Sequence, residues 1–225
     1  MSTQCAHGVP DRGGKSKFTE VASFIKSPRC VDVYVISFSK DGGDRLSQWR
    51  GYSSGAGIAV GFRREEIEKR CKQFSKNAGY RIRAGLREVQ YIDPEVRSFG
   101  DKTLDFLTAP PTQPVLSRLS KEEAFKFTVA FYASAMKHQA FVEENEFRIV
   151  IMDMPDCVEP RFRVRRSLLI PYREFPIGDG DLSSLVGRVV IGPCPHKEDS
   201  IRAVKSMLRS HKIEVVATAT PFRDW

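Results

Sequence analysis

Six or seven short strand-like runs, separated by only three or four helical stretches, set the main constraint on this chain. Many of the runs are too short to be helices, and several alternate apolar and polar residues with a period of two. "VDVYVISFS" places Val31, Val33 and Val35 on one face and Tyr34 and Ile36 on the other, so it reads as an internal strand. "GIAVGF" is a second short strand, and "YRIRAGLREVQYI" turns Ile82, Ala84 and Leu86 inward and Arg81, Arg83 and Arg87 outward. "NEFRIVIMD" and "RFRVRRSLLI" read as the two arms of an antiparallel hairpin, and "GRVVIGP" and "KIEVVATAT" complete the set. The helices are one with Ile67, Cys71 and Phe74 on its stripe, one opened by a Ser120–Glu123 capping box and running toward His138, and one with Ile201, Val204, Met207 and Leu208 inward. The expectation is an α+β fold. It is a single domain over residues 30–225, with a mixed, mainly antiparallel sheet and three or four helices. Residues 1–29 read as a flexible polar arm, and the proline density of "TAPPTQPVLSRL" excludes regular structure there.

The stretch "SFSKDGGDRLSQWRGYSSGAGIAVGF" lies between the first two strands. Ser37 and Ser39, two apart, point to one face. Trp49 and Tyr52 fall on a short helical turn, and Gly55, Gly57 and Gly61 let backbone approach closely. One reading is a ligand pocket: a planar ring stacks on Trp49 or Tyr52 and its polar edge meets Ser37 and Ser39. The other is architectural, with the tryptophan plugging the core beside a glycine-rich turn.

"EENEFR" carries the second constellation. Alternation on a strand puts Glu144, Glu146 and Arg148 on one face, and Phe147 and Ile149 on the core side. Two carboxylates so placed are candidate catalytic groups, able to hold a ribose hydroxyl and stabilise an oxocarbenium-like centre. The competing reading pairs Glu146 with Arg163 or Arg165 of "RFRVRR" on a neighbouring strand. Lys137 and His138 end the long helix in this reading, where cations suit its dipole. Lys137, Arg148, Arg163 and Arg165 together suit a pyrophosphate, because guanidinium groups bind phosphate oxygens in pairs.

The formal charge of +8 favours anionic partners: a nucleotide or other anionic small molecule, with nucleic acid as a further candidate. The cysteines, five in all, show no CxxC pair or zinc spacing, so reduced thiols and no metal site are expected. No apolar run approaches the ~20 residues that span a bilayer, and the first residues lack a signal-peptide core. The expectation is a cytoplasmic protein without a membrane partner.

"SFS", "DRLSQWRGY", "GIAVGF", "KHQAFVEENEFR", "LLIPYREF", "VVIGP" and "TATPFR" occur in the order seen in a large bacterial family of uncharacterised domains, which the chain resembles over roughly residues 31–223. Members of that family usually begin with a strand and helix carrying tyrosine and histidine, for which residues 1–28 hold no counterpart. A fainter likeness is to ADP-ribosyltransferases, which combine a Ser-x-Ser strand that shapes the pocket with a late Glu-x-Glu. That likeness implies NAD as cofactor or substrate, Glu144 and Glu146 as catalytic residues, and a role as a toxin or in phage defence. A non-catalytic binding module and a partner-binding structural component are the alternatives.

Overall fold

A computed structural model describes residues 32–40, 44–53, 57–79, 81–93, 120–153, 159–177 and 182–221. The expected arm and the proline-dense stretch 108–119 lie outside these residues. In chain order the elements are β1 (Val33–Ser39), α1 (Leu46–Tyr52), β2 (Ile58–Phe62), α2 (Arg64–Asn77), β3 (Ile82–Glu88) and β4 (Gln90–Ile92). They continue with α3 (Lys121–Ala133), β5 (Met136–His138), a 3-10 helix (Gln139–Glu144), β6 (Glu146–Asp153), β7 (Arg161–Arg165) and β8 (Leu168–Tyr172). The last are β9 (Val186–Ile191), α4 (Lys197–Met207) and β10 (Glu214–Ala217). The architecture is α+β.

The strands form two three-stranded sheets and two small pairs. The first sheet runs β1-β6-β3 and is antiparallel throughout. The second runs β10-β9-β2, with β9 parallel to β10 and antiparallel to β2. β4 pairs with β5 in parallel, and β7 pairs with β8 as a hairpin.

β6 is the spine of the first sheet because both of its faces are apolar. Ile149 and Ile151 pack with Ile67 and Cys71 of α2, as the spacing of that helix predicts, and Val150 and Met152 pack with Ala124 and Phe127 of α3. The Ser120–Glu123 capping box forms as expected, with Ser120 Oγ accepting from the Glu123 N–H at 3.2 Å. On α4, Val204 is buried and Ile201 and Leu208 pack beside it. Met207, expected on the same stripe, is 71% exposed.

Among the described residues β1 has one strand neighbour, β6, and Val35 and Ile36 are exposed, where an internal strand was expected. Two expectations give way. "RFRVRRSLLI" is not the partner of β6. It is a hairpin in itself, because Arg166 takes φ 53° and closes a two-residue turn. The capped helix ends at Ala133, and Lys137 sits on the short strand β5 instead of a helical terminus.

Candidate functional site

The two three-stranded sheets leave a cleft of about 820 Å³ between them. Successive residues Ser37, Phe38, Ser39 and Lys40 line it from one side, and Ile58 to Phe62 line it from the other. The lining also takes in Phe147 of β6, Leu86 of β3 and Ile67 of α2, so the cleft runs over the face of the first sheet that carries Phe38. β1 and β2 are each the end strand of their sheet, with one neighbour apiece among the described strands. The cleft thus lies beside two strands that are each last in their sheet among the described residues. Its apolar surface comes from Phe38, Phe62, Ile67, Leu86 and Phe147, with Phe38 and Phe62 meeting edge to face at 5.6 Å. Two cations belong to the same wall. Lys40 Nζ stands 4.9 Å and the Arg64 guanidinium 4.6 Å from the centre of the Phe147 ring.

Trp49 and Tyr52 both border the cleft, but they differ in kind. Trp49 is 6% exposed and donates its indole N–H to Asp44 Oδ1 at 3.0 Å. Its ring lies so close to the neighbouring backbone that a Cβ at Gly192 would stand 2.8 Å from it. The glycine at 192 is thus required by contact, and Trp49 is largely a packed anchor. Burial alone would raise the Asp44 carboxyl; hydrogen bonds from Thr218, Trp49 and the Ala219 N–H outweigh it and hold the group below its ordinary range. Tyr52, by contrast, is 79% exposed, so its ring is available for stacking.

The carboxylates lie next to the cleft and do not line it. Ser39 stands opposite Glu146 across the β1–β6 ladder and Ser37 opposite Arg148, and opposed residues of an antiparallel pair share a face. Arg87 of β3 is the other cross-strand neighbour of Arg148. Ser37, Ser39, Glu146, Arg148 and Arg87 thus share one face of the first sheet, and of these Ser37 and Ser39 border the cleft. Glu144 is not on the strand: it ends the 3-10 helix, and Asn145 takes φ 42° to bend the chain into β6. Even so, the two carboxylates converge. Lys137 Nζ donates to Glu144 Oε2 at 2.7 Å and to Glu146 Oε1 at 3.2 Å. Arg148 Nε donates to Glu146 Oε2 at 3.0 Å and its other arm to the Ser134 carbonyl at 2.8 Å.

Glu146 is 6% exposed. Burial opposes its ionisation, yet hydrogen bonding with Glu144, Lys137 and Arg148, with the Arg148 charge added, holds its carboxyl below the ordinary range. Lys137 is the complement: its desolvation is outweighed by the two carboxylates, and its pKa is raised.

Arg163 and Arg165, expected beside Glu146, are elsewhere. They sit on the exposed β7–β8 hairpin, where Arg163 lies over Tyr172, and the partners of Glu146 are Lys137 and Arg148 instead. The sequence reading missed Lys40, Arg64 and Asp44. Lys40 directly follows the Ser-x-Ser pair and Arg64 opens the helix after β2, but only the fold shows that both reach Phe147.

Residues 48–149 match the family described as "protein of unknown function (DUF2971)". The similarity spans α1 to the middle of β6, and so takes in Trp49, Tyr52, Lys137, Glu144, Glu146 and Arg148. It stops short of Ser37 and Ser39 on one side and of the arginine hairpin on the other. No curated protein and no solved structure matches the chain.

Proposed function

We propose that the protein binds a nucleotide in the cleft between β1 and β2, with NAD as the candidate ligand. The observation that carries this reading is the apolar-walled cleft of about 820 Å³ between β1 and β2, a size usual for small-molecule and cofactor sites. The apolar wall suits the faces of a planar base. Tyr52 supplies a ring at the mouth, and Lys40 and Arg64, which here pair with Glu88 and Glu68, would turn to phosphates by exchanging those carboxylates.

The carboxylates extend the proposal toward cleavage of the nicotinamide–ribose bond. That chemistry needs an ionised carboxylate near the ribose, and Glu146 is held ionised. Such an NAD-consuming protein would serve as a toxin or in phage defence. Against catalysis stand the place of Glu144 and Glu146 outside the cleft lining and the engagement of both Glu146 oxygens by Lys137 and Arg148. This engagement supports a second reading, in which Glu144, Glu146 and Lys137 brace the wall of a site that holds its ligand without consuming it.

One paired experiment separates the readings. NAD is titrated calorimetrically into wild type and Glu146→Gln, and NAD consumption is followed in both. Consumption by wild type alone supports the enzyme; binding by both without consumption supports the module. Absence of binding by wild type to NAD, ATP and other nucleotides overturns the proposal.

A further inference from the structure

The β7–β8 hairpin stands apart from the cleft and from its chemistry. It is rooted at its base, where Arg173 donates to Asp153 Oδ2 at 2.7 Å and to the Glu159 carbonyl at 2.8 Å. Beyond that root every residue from Arg161 to Leu169 is exposed and none of them is acidic; the one carboxylate that an arginine of the hairpin meets among the described residues is Glu174, 2.5 Å from Arg161. Arginines at 161, 163, 165 and 166 alternate or abut with Phe162, Val164, Leu168 and Leu169, which are 56%, 77%, 65% and 65% exposed. Large apolar side chains concentrated this way on a soluble surface mark something that covers them.

The register shows how they are arranged. Arg161, Arg163 and Arg165 share a face with Tyr172, Ile170 and Leu168; Phe162 and Val164 share the other with Pro171 and Leu169. Near the tip, therefore, apolar groups stand on both faces, with Arg165 and Arg166 between them. A partner protein that docks on one face leaves the other face wet. A second copy of the chain brings its own arginines against these. A duplex nucleic acid satisfies the guanidinium groups and has little use for the phenylalanine, valine and leucines. An interfacial lipid layer surrounds the tip, takes the apolar groups from both faces and presents phosphates to the arginines at the same depth.

We infer that the β7–β8 hairpin is a docking element for an anionic membrane surface. No helix among the described residues is long and apolar enough to cross a bilayer, and this inference asks for none. The spanning criterion does not bear on a surface-seated hairpin, which obeys a different one: exposed apolar side chains combined with positive charge.

The test is flotation of the full chain with vesicles of phosphatidylcholine alone, or of phosphatidylcholine mixed in equal parts with phosphatidylglycerol. Two variants accompany it, Leu168→Ser with Leu169→Ser, and Arg165→Gln with Arg166→Gln. All four side chains are exposed, so melting temperatures near that of wild type are expected and verify the fold. Wild type floats with the anionic vesicles and not with the neutral ones. The arginine variant weakens association by about fivefold per charge removed. The leucine variant weakens it by about tenfold or more, as loss of buried apolar groups requires. No flotation with anionic vesicles overturns the inference. So does flotation unchanged by the leucine variant, which marks charge adsorption alone. Duplex DNA that displaces the vesicles and binds the leucine variant as well as wild type reassigns the hairpin to nucleic acid.

Discussion

Trp49 donates its indole N–H to Asp44 across 3.0 Å, and this bond decides how the glycine-rich segment between the first two strands is to be read. Asp44 also accepts from Thr218 and, at 3.3 Å, from the Ala219 N–H, so one carboxylate ties α1 to the end of β10. Asp44→Ala strands the indole N–H and the buried Thr218 hydroxyl. A loss of about 1–3 kcal/mol is expected from a urea melt. The far-UV circular dichroism should stay near that of wild type.

Gly192→Ala tests the same anchor from the other side. A methyl group there meets the Trp49 ring at 2.8 Å, and Gly57→Ala meets the Ser53 Cβ at 2.5 Å. Each substitution should lower stability by about 1–3 kcal/mol, as overpacking does. Gly51→Ala, which meets nothing within 4 Å, is the control and should be neutral or slightly stabilising because it lies within α1.

Tyr52 and Trp49 should separate under mutation. Tyr52→Ala leaves the melting temperature within about a degree or two, as exposed positions usually do. It should weaken nucleotide binding, since a ring stacked on a base contributes on the order of 1–3 kcal/mol. Trp49→Phe should do the reverse, lowering stability through the lost indole N–H and leaving affinity nearly intact.

The Lys137–Glu144–Glu146–Arg148 unit predicts a pH dependence with a definite sign. Glu146 has a depressed folded-state pKa, so its stabilisation is fully present above the ordinary value of 4.5 and is lost as pH falls through the lower folded value. Asp153 is opposite: burial, opposed by Arg173, raises its pKa, so it costs stability as pH rises above its ordinary 3.8. Glu146→Gln should therefore flatten the acid limb of the stability curve below about pH 4.5 and lower neutral-pH stability by about 3 kcal/mol. Unfolding curves of wild type and variant at stepped pH check this. An unchanged acid limb would refute the ion-pair account.

The periodic elements were legible from sequence, and what they meet across the fold was not. Alternation placed Ile82, Ala84 and Leu86 inward, and helical spacing placed Ile67 and Cys71 against the sheet, because local geometry fixes both periods. β1 ends its sheet among the described strands, and an apolar strand reads alike at the middle and at the edge of a sheet. The arginine hairpin was hidden because its turn uses Arg166 at φ 53°, with no glycine or asparagine to signal it. The convergence of Glu144 and Glu146 was expected on strand alternation and arises by another route: a left-handed Asn145 and a lysine from β5.

The central claim is tested most directly by a crystal structure of the protein grown or soaked with saturating NAD. The account predicts density between β1 and β2, with the base against Tyr52, polar ring atoms on the backbone of residues 37–40 or 58–62, and phosphates toward Lys40 and Arg64. An empty cleft at saturating NAD, or nucleotide bound only at some other surface, would contradict it.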